Sequence, residues 1–69
     1  MTWERQKYGW LANARGWILW IVEDTDRYEW EVEEEDGFAI ESGHTTTLDE
    51  AKAAAEAAVV RLGGEVGDG

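Results

Sequence analysis

The stretch Thr47-Leu48-Asp49-Glu50-Ala51-Lys52-Ala53-Ala54-Ala55-Glu56 decides the fold, because it fixes where a helix begins. Thr47 suits an N-cap, and Glu50 three residues later closes a capping box. Asp49 and Glu50 lie in the first turn, where the helix dipole favours negative charge. Arg61 falls in the last turn, and Gly63-Gly64 offers a left-handed exit. Leu48, Ala51, Ala55, Ala58, Val59 and Leu62 recur at helical spacing and form one apolar stripe. Asp49, Lys52, Ala53, Glu56 and Arg61 lie mostly away from it. Alanine at 51, 54, 55 and 58 lets the helix backbone approach whatever lies beneath. Large side chains of a facing sheet, tryptophans above all, are expected to fill that space.

Three segments before the helix read as strands. Trp17-Ile18-Leu19-Trp20-Ile21-Val22-Glu23 is almost continuously apolar, which predicts cover on both faces. Tyr28-Glu29-Trp30-Glu31-Val32-Glu33 alternates strictly, so one face is buried and the other wet. Phe38-Ala39-Ile40-Glu41-Ser42 alternates in the same sense. Asp24 to Arg27 and Glu35-Asp36-Gly37 are the turns between them, the Asp-Gly pair favouring a tight hairpin. Gly43-His44-Thr45-Thr46 then leads to the helix. Trp3 to Leu11 is a candidate fourth strand, weakened by Gly9, with residues 12–16 turning into Trp17. The fold class is therefore α+β: an antiparallel meander of three or four strands with one C-terminal helix on one face. Residues 1–63 form a single domain, and residues 64–69 are expected to be a disordered tail.

A chain of 69 residues buries only about 60% of the surface its unfolded form exposes. It contains no cysteine, so neither a disulfide nor a cysteine zinc site can stabilise it. The compensation is aromatic: Trp3, Trp10, Trp17, Trp20 and Trp30, with Tyr8, Tyr28 and Phe38. Each such ring can bury about 150–250 Å². No secretory signal is legible after Met1, and the apolar run from Trp17 to Val22 is too short to span a bilayer. The expectation is a soluble, cytoplasmic protein without membrane contact.

The net charge is −10 and the isoelectric point about 4.2. Direct binding to nucleic-acid phosphates is therefore not expected. The charge is uneven: Arg5, Lys7 and Arg15 give the first fifteen residues a basic balance against Glu4, whereas residues 23–56 are strongly acidic. Strand alternation assigns the faces. Trp17, Leu19, Ile21, Tyr28, Trp30, Val32, Phe38 and Ile40 are expected to meet the helix. Ile18, Trp20, Val22, Glu29, Glu31, Glu33, Ala39 and Glu41 are expected to point the other way. The second face is then an apolar ridge, Ile18, Trp20 and Val22, beside a field of carboxylates, Glu29, Glu31, Glu33 and Glu41. These seven residues are the candidate partner-binding set. Three explanations of the ridge stand side by side. The N-terminal segment covers it through Trp3 or Trp10, or it is an interface to a second copy, or it is an interface to another protein. The carboxylates are a solvated face, an adaptation to high salt, or a dock for a basic partner. In its strongest form that dock imitates nucleic acid. Alternate strand residues lie about 6.8 Å apart and duplex DNA carries a charge per about 1.7 Å. One strand of acids is thus too sparse alone, and mimicry would need Glu23, Asp24, Asp26, Glu41 and the hairpin acids as well.

Catalytic chemistry is thin. His44, the one histidine, and Ser42, the one serine, would share a face only if the third strand continued, and no acid can be assigned to them. Asp24-x-Asp26 opens like a calcium loop but lacks its glycine and final glutamate. Gly63-Gly64 follows a helix, whereas a phosphate-binding loop precedes one. No enzyme, cofactor or metal is expected.

The order strand, strand, strand, then Gly43, Thr47, Leu48, Glu50 and Ala51, resembles the small sheet-and-helix domain of HicB-like antitoxins. It is similar, too, to short phage-encoded and actinobacterial proteins ending in a Thr-x-x-Glu-Ala-Lys helix. The likeness covers residues 17–62 and implies a protein-binding role without any catalytic residue. The expected function is a non-enzymatic acidic interaction module, which the likeness makes a candidate phage-encoded protein. Its alternatives are a nucleic-acid-mimicking inhibitor of a defence or DNA-processing enzyme, and a small accessory protein that forms homodimers.

Overall fold

The computed structural model describes residues 2–64, with the side chain of Ala39 excepted. Of the expected tail only Gly64 is among them; residues 65–69 lie outside the described residues. Five strands and a helix follow one another: β1 (Glu4–Arg5), β2 (Gly9–Ala14), β3 (Trp17–Glu23), β4 (Tyr28–Glu34), β5 (Ala39–Thr45) and α1 (Leu48–Arg61). All neighbours pair antiparallel, in the order β1-β2-β3-β4-β5, so the sheet is a meander with β1 and β5 at its edges. The α+β architecture is the expected one, with one strand more than the upper count.

The extra strand comes from the N-terminal segment, which pairs twice. Gly9 begins β2 because only glycine fits there: a Cβ would run into the Ile21 carbonyl across the ladder. The strand continues through Ala12, Asn13 and Ala14, so the turn into β3 is reduced to Arg15-Gly16. At the next hairpin Asp24 N–H donates to the Arg27 carbonyl at 2.8 Å and so pairs the two ends of the expected turn. Gly37 closes the hairpin between β4 and β5 with φ +99°, and its N–H donates to the Glu34 carbonyl at 2.9 Å.

β5 departs from expectation twice. It runs on through Gly43, His44 and Thr45, and a bulge at Val32/Glu33 shifts its register. Glu33 faces Ala39 but Val32 faces Glu41, so one extra residue sits between them. Beyond the bulge the facing is the reverse of that expected. Glu41 lies on the helix side, where its carboxylate pairs with the Arg61 guanidinium of α1. Phe38 and Ile40 do not enter the core; they are 67% and 40% exposed.

Helix α1 is capped as the sequence predicts. Thr47 Oγ1 accepts the Glu50 N–H at 3.1 Å and its hydroxyl donates to Glu50 Oε1 at 3.0 Å. At the other end Gly64 N–H donates to the Val59 carbonyl and Gly63 N–H to that of Val60, with Gly63 at φ +95°. This is a Schellman closure, and it takes in Gly64, one residue past the expected domain boundary. The core is Leu19, Ile21, Trp30 and Val32 from the sheet, Ala12 beside them, and Ala51, Ala55, Ala58 and Val59 from α1. Trp10, Trp17 and Tyr28 pack around it, and α1 lies across β4 with β3 and β5 on either side. Large sheet residues thus fill the space under small helix residues, as the alanine stripe implies. No helix among the described residues is long and apolar enough to cross a membrane.

Candidate functional site

The face of the sheet away from α1 is built from two adjacent rows of cross-strand neighbours. In one row Glu4, Leu11, Trp20, Glu31 and Ser42 follow one another from β1 to β5. In the next, Val22 on β3 faces Glu29 on β4, which faces His44 on β5. Beyond Trp20 on the other side, Ile18 faces Glu33. Six of the seven expected residues therefore share this face, and Glu41 is the one that does not. The bulge sends it to the helix, and Ser42 and His44 take the place on the face that it was expected to hold.

Neither Trp3 nor Trp10 covers the ridge. Trp10 faces Ile21 on the helix side, stacks at a tilt on Tyr28 with ring centres 6.0 Å apart, and lies under the Arg5 guanidinium at 4.4 Å. Trp3 donates its indole N–H to Glu56 of α1 at 2.9 Å. Both are on the wrong side of the sheet to reach Trp20, whose neighbour on β2 is Leu11. Trp20 remains 37% exposed and Val22 47%. Together with Glu29, Glu31, Ser42 and His44 they line an open depression of about 550 Å³, to which Trp30 and Gly43 also contribute. Gly43 is glycine because a Cβ there would come within 2.9 Å of the Trp30 ring. The indole of Trp30 therefore lies against the β5 backbone.

The electrostatics are one-sided. Arg5, Lys52 and Arg61 belong to the helix side or to α1 itself. Lys7 sits over the Tyr8 ring at 5.4 Å. Among the described residues the ion-paired cation at the margin of this face is Arg27, which pairs with Glu29 at 3.0 Å and with Asp24 at 3.7 Å. All three side chains are about half exposed, so these pairs are weak and screened by salt. Among the described residues no ion pair reaches Glu31 or Glu33.

Ser42 and His44 do share a face, and the register supplies the acids the sequence could not assign: Glu31 opposite Ser42, and Glu29 opposite His44. A nucleophile and its base must hydrogen-bond one another. Among the described residues no hydrogen bond joins Ser42, His44 and either carboxylate. The arrangement offers an aromatic ring, an aliphatic side chain, an imidazole and carboxylates around one hollow. Such a set attracts a cation that carries some apolar surface.

No known protein family, characterised protein or solved structure matches this chain. The likeness of residues 17–62 to HicB-like domains therefore stands on its motif alone.

Proposed function

We propose that the chain is a non-enzymatic acidic interaction module that docks a basic partner protein on the sheet face opposite α1. One observation supports this reading above the rest. The exposed Trp20 and Val22 open into the same depression as Glu29 and Glu31, while among the described residues only Arg27 of the ion-paired cations reaches its margin. A merely solvated face has no need to keep an indole beside its carboxylates. Tryptophan at the centre of an interface is a frequent anchor of binding energy, and carboxylates around it select partners by charge and speed their approach. The HicB-like order of elements points to the same kind of role.

Homodimerisation through this face is a weaker reading. A two-fold contact would bring Glu29, Glu31 and Glu33 of one copy against those of the other. Nucleic-acid mimicry also loses ground, because Glu41, one of the acids it needs, belongs to the helix side.

The test is an NMR titration of the labelled protein with a lysine-rich peptide at low and high salt. Perturbations confined to residues around Trp20, Glu29, Glu31, Ser42 and His44, and abolished by combined Glu29→Gln, Glu31→Gln and Glu33→Gln, support the dock. Perturbations spread evenly over the other acidic segments, Asp24–Asp26 and Glu34–Asp36, would overturn it.

A further inference from the structure

We infer that the partner segment binds as a sixth strand along β5, in an extended conformation with basic side chains at alternate positions. This deepens the docking reading and rests on it.

The two edges of the sheet are unequal. β1 is only two residues long, both of them charged, Glu4 and Arg5, and is followed by Lys7. The segment before it is tied to α1 by the bond from Trp3 to Glu56. Short, charged edges resist pairing with another chain. β5 is seven residues long and contains neither proline nor lysine. Its bulge lies toward the Ala39 end, so Ser42, Gly43, His44 and Thr45 continue in regular register with β4.

The ladder shows which backbone groups are free. Glu23 N–H donates to Tyr8 beside β2, and Glu35 N–H donates to Gly16 beside β3. By the alternation of an antiparallel ladder, Glu29 and Glu31 then direct their N–H and C=O groups to β3. Ser42 and His44, which face them, direct theirs outward from the sheet. Among the described residues no backbone hydrogen bond reaches those outward groups. The same two residues have exposed side chains beside the depression.

A strand added here is placed with its own alternate side chains over that depression. It would lie about 10 Å from β4, two strand spacings away. Ser42 is small, so a lysine or arginine can lean across it toward Glu31 and toward the ring of Trp20. The neighbouring alternate position reaches Glu29 past His44. Charge chooses the occupant. A second copy paired through β5 about a two-fold axis normal to the sheet would set two acidic faces side by side, on chains that each carry −10. A basic segment meets no such repulsion.

The experiment uses a probe peptide of alternating lysine and valine, and the same peptide N-methylated along one backbone edge. Methylation keeps charge and side chains while removing the donors that strand pairing needs. The expected result is slowed exchange of the Ser42 and His44 amides on binding, with affinity about tenfold or more lower for the methylated peptide. Ser42→Pro removes one outward N–H at a sheet edge, where proline is tolerated, and is expected to weaken the unmodified peptide similarly. Should that variant unfold, amide exchange in the unaltered protein still decides. Equal affinity for both peptides, with perturbations still centred on Trp20, Glu29 and Glu31, would overturn strand addition and leave the acidic dock standing. Absence of any localised perturbation would overturn both. Ser42 and His44 amides already protected in the free protein, with a dimeric mass, would assign the edge to a second copy and refute the inference.

Discussion

At the scale of single residues, the least conspicuous positions constrain the site most. Gly43 has no side chain, which lets Trp30 lie against β5 on the helix side and so seats the strand that carries Ser42 and His44 on the other face. Gly43→Val places carbons within the ring's contact distance, and overpacking of this kind costs typically about 1–3 kcal/mol. The expected outcome is a lower urea midpoint with an unchanged slope; an unchanged midpoint would mean that Trp30 has room to swing away. Thr47 is the second such position. It accepts the Glu50 N–H and holds the Glu50 carboxylate, so Thr47→Ala removes both contacts. The loss of stability should be about 1 kcal/mol, measured by thermal or urea unfolding, and should leave peptide binding to the sheet unaltered. Trp20→Ser tests the opposite kind of residue. It should weaken binding of the basic peptide while leaving the slope of affinity against salt intact, because the carboxylates that generate that slope remain. A changed slope with unchanged affinity at high salt would sink the assignment of Trp20 as the apolar anchor.

At the scale of elements, the helix and the central strands are legible in the sequence because each carries two agreeing signals. α1 has both a cap and an apolar stripe, and β4 has both strict alternation and flanking turns. Ala51, Ala55 and Ala58 are all fully buried, and Leu19, Ile21, Trp30 and Val32 all face them. The close approach that alanine permits makes a direct prediction. Ala55→Leu forces new volume between α1 and the sheet and should destabilise the fold by about 1–3 kcal/mol. Ala53→Leu, at an exposed position of the same helix, should be nearly neutral, and the contrast between the two is the readout in urea unfolding. The element whose sequence misleads is β5. Phe38, Ile40 and Ser42 fall on alternate positions, which implies a register without interruption. A bulge inserts one residue and inverts the strand from Glu41 onward, and nothing local announces it. Two distant signals agree with the true register: Arg61 at the end of α1 needs an acid, and Trp30 needs a residue without a side chain opposite. Both are tertiary facts, visible as such only once β5 is placed beside β4. The extension of β2 past Leu11 is hidden for a related reason. Ala12, Asn13 and Ala14 are poor strand formers taken alone, and it is pairing with Leu19, Ile18 and Trp17 that makes them a strand.

At the scale of the whole molecule, the charge distribution poses a question of stability as well as of binding. Sixteen acidic residues stand against six basic ones, and the ion pairs of Arg5, Arg27 and Arg61 all involve substantially exposed groups. Pairs of that kind contribute little each, while the repulsion among the remaining carboxylates is summed over the whole surface and opposes the compact state. Added salt screens both terms, so its net effect reports which is larger. Raising NaCl from about 0.01 M to about 1 M shortens the Debye length from about 30 Å to about 3 Å, which removes most of the repulsion. If repulsion dominates, the melting temperature rises. Each kcal/mol gained raises Tm by about 4–8 °C in a domain of this size, so relief of about 1 kcal/mol is readily measured by calorimetry. The variant with Glu29→Gln, Glu31→Gln and Glu33→Gln separates this from general effects of salt on apolar burial. Having less repulsion to lose, it should melt higher than the unaltered chain at low salt and gain less from added NaCl. A melting temperature that falls with salt, or an identical rise in both proteins, would show that the carboxylate face does not strain the fold. A face that strains the fold while free is relieved when a cationic segment binds it. Stability and binding would then draw on the same interaction, and the basic probe peptide should raise Tm most where salt is lowest.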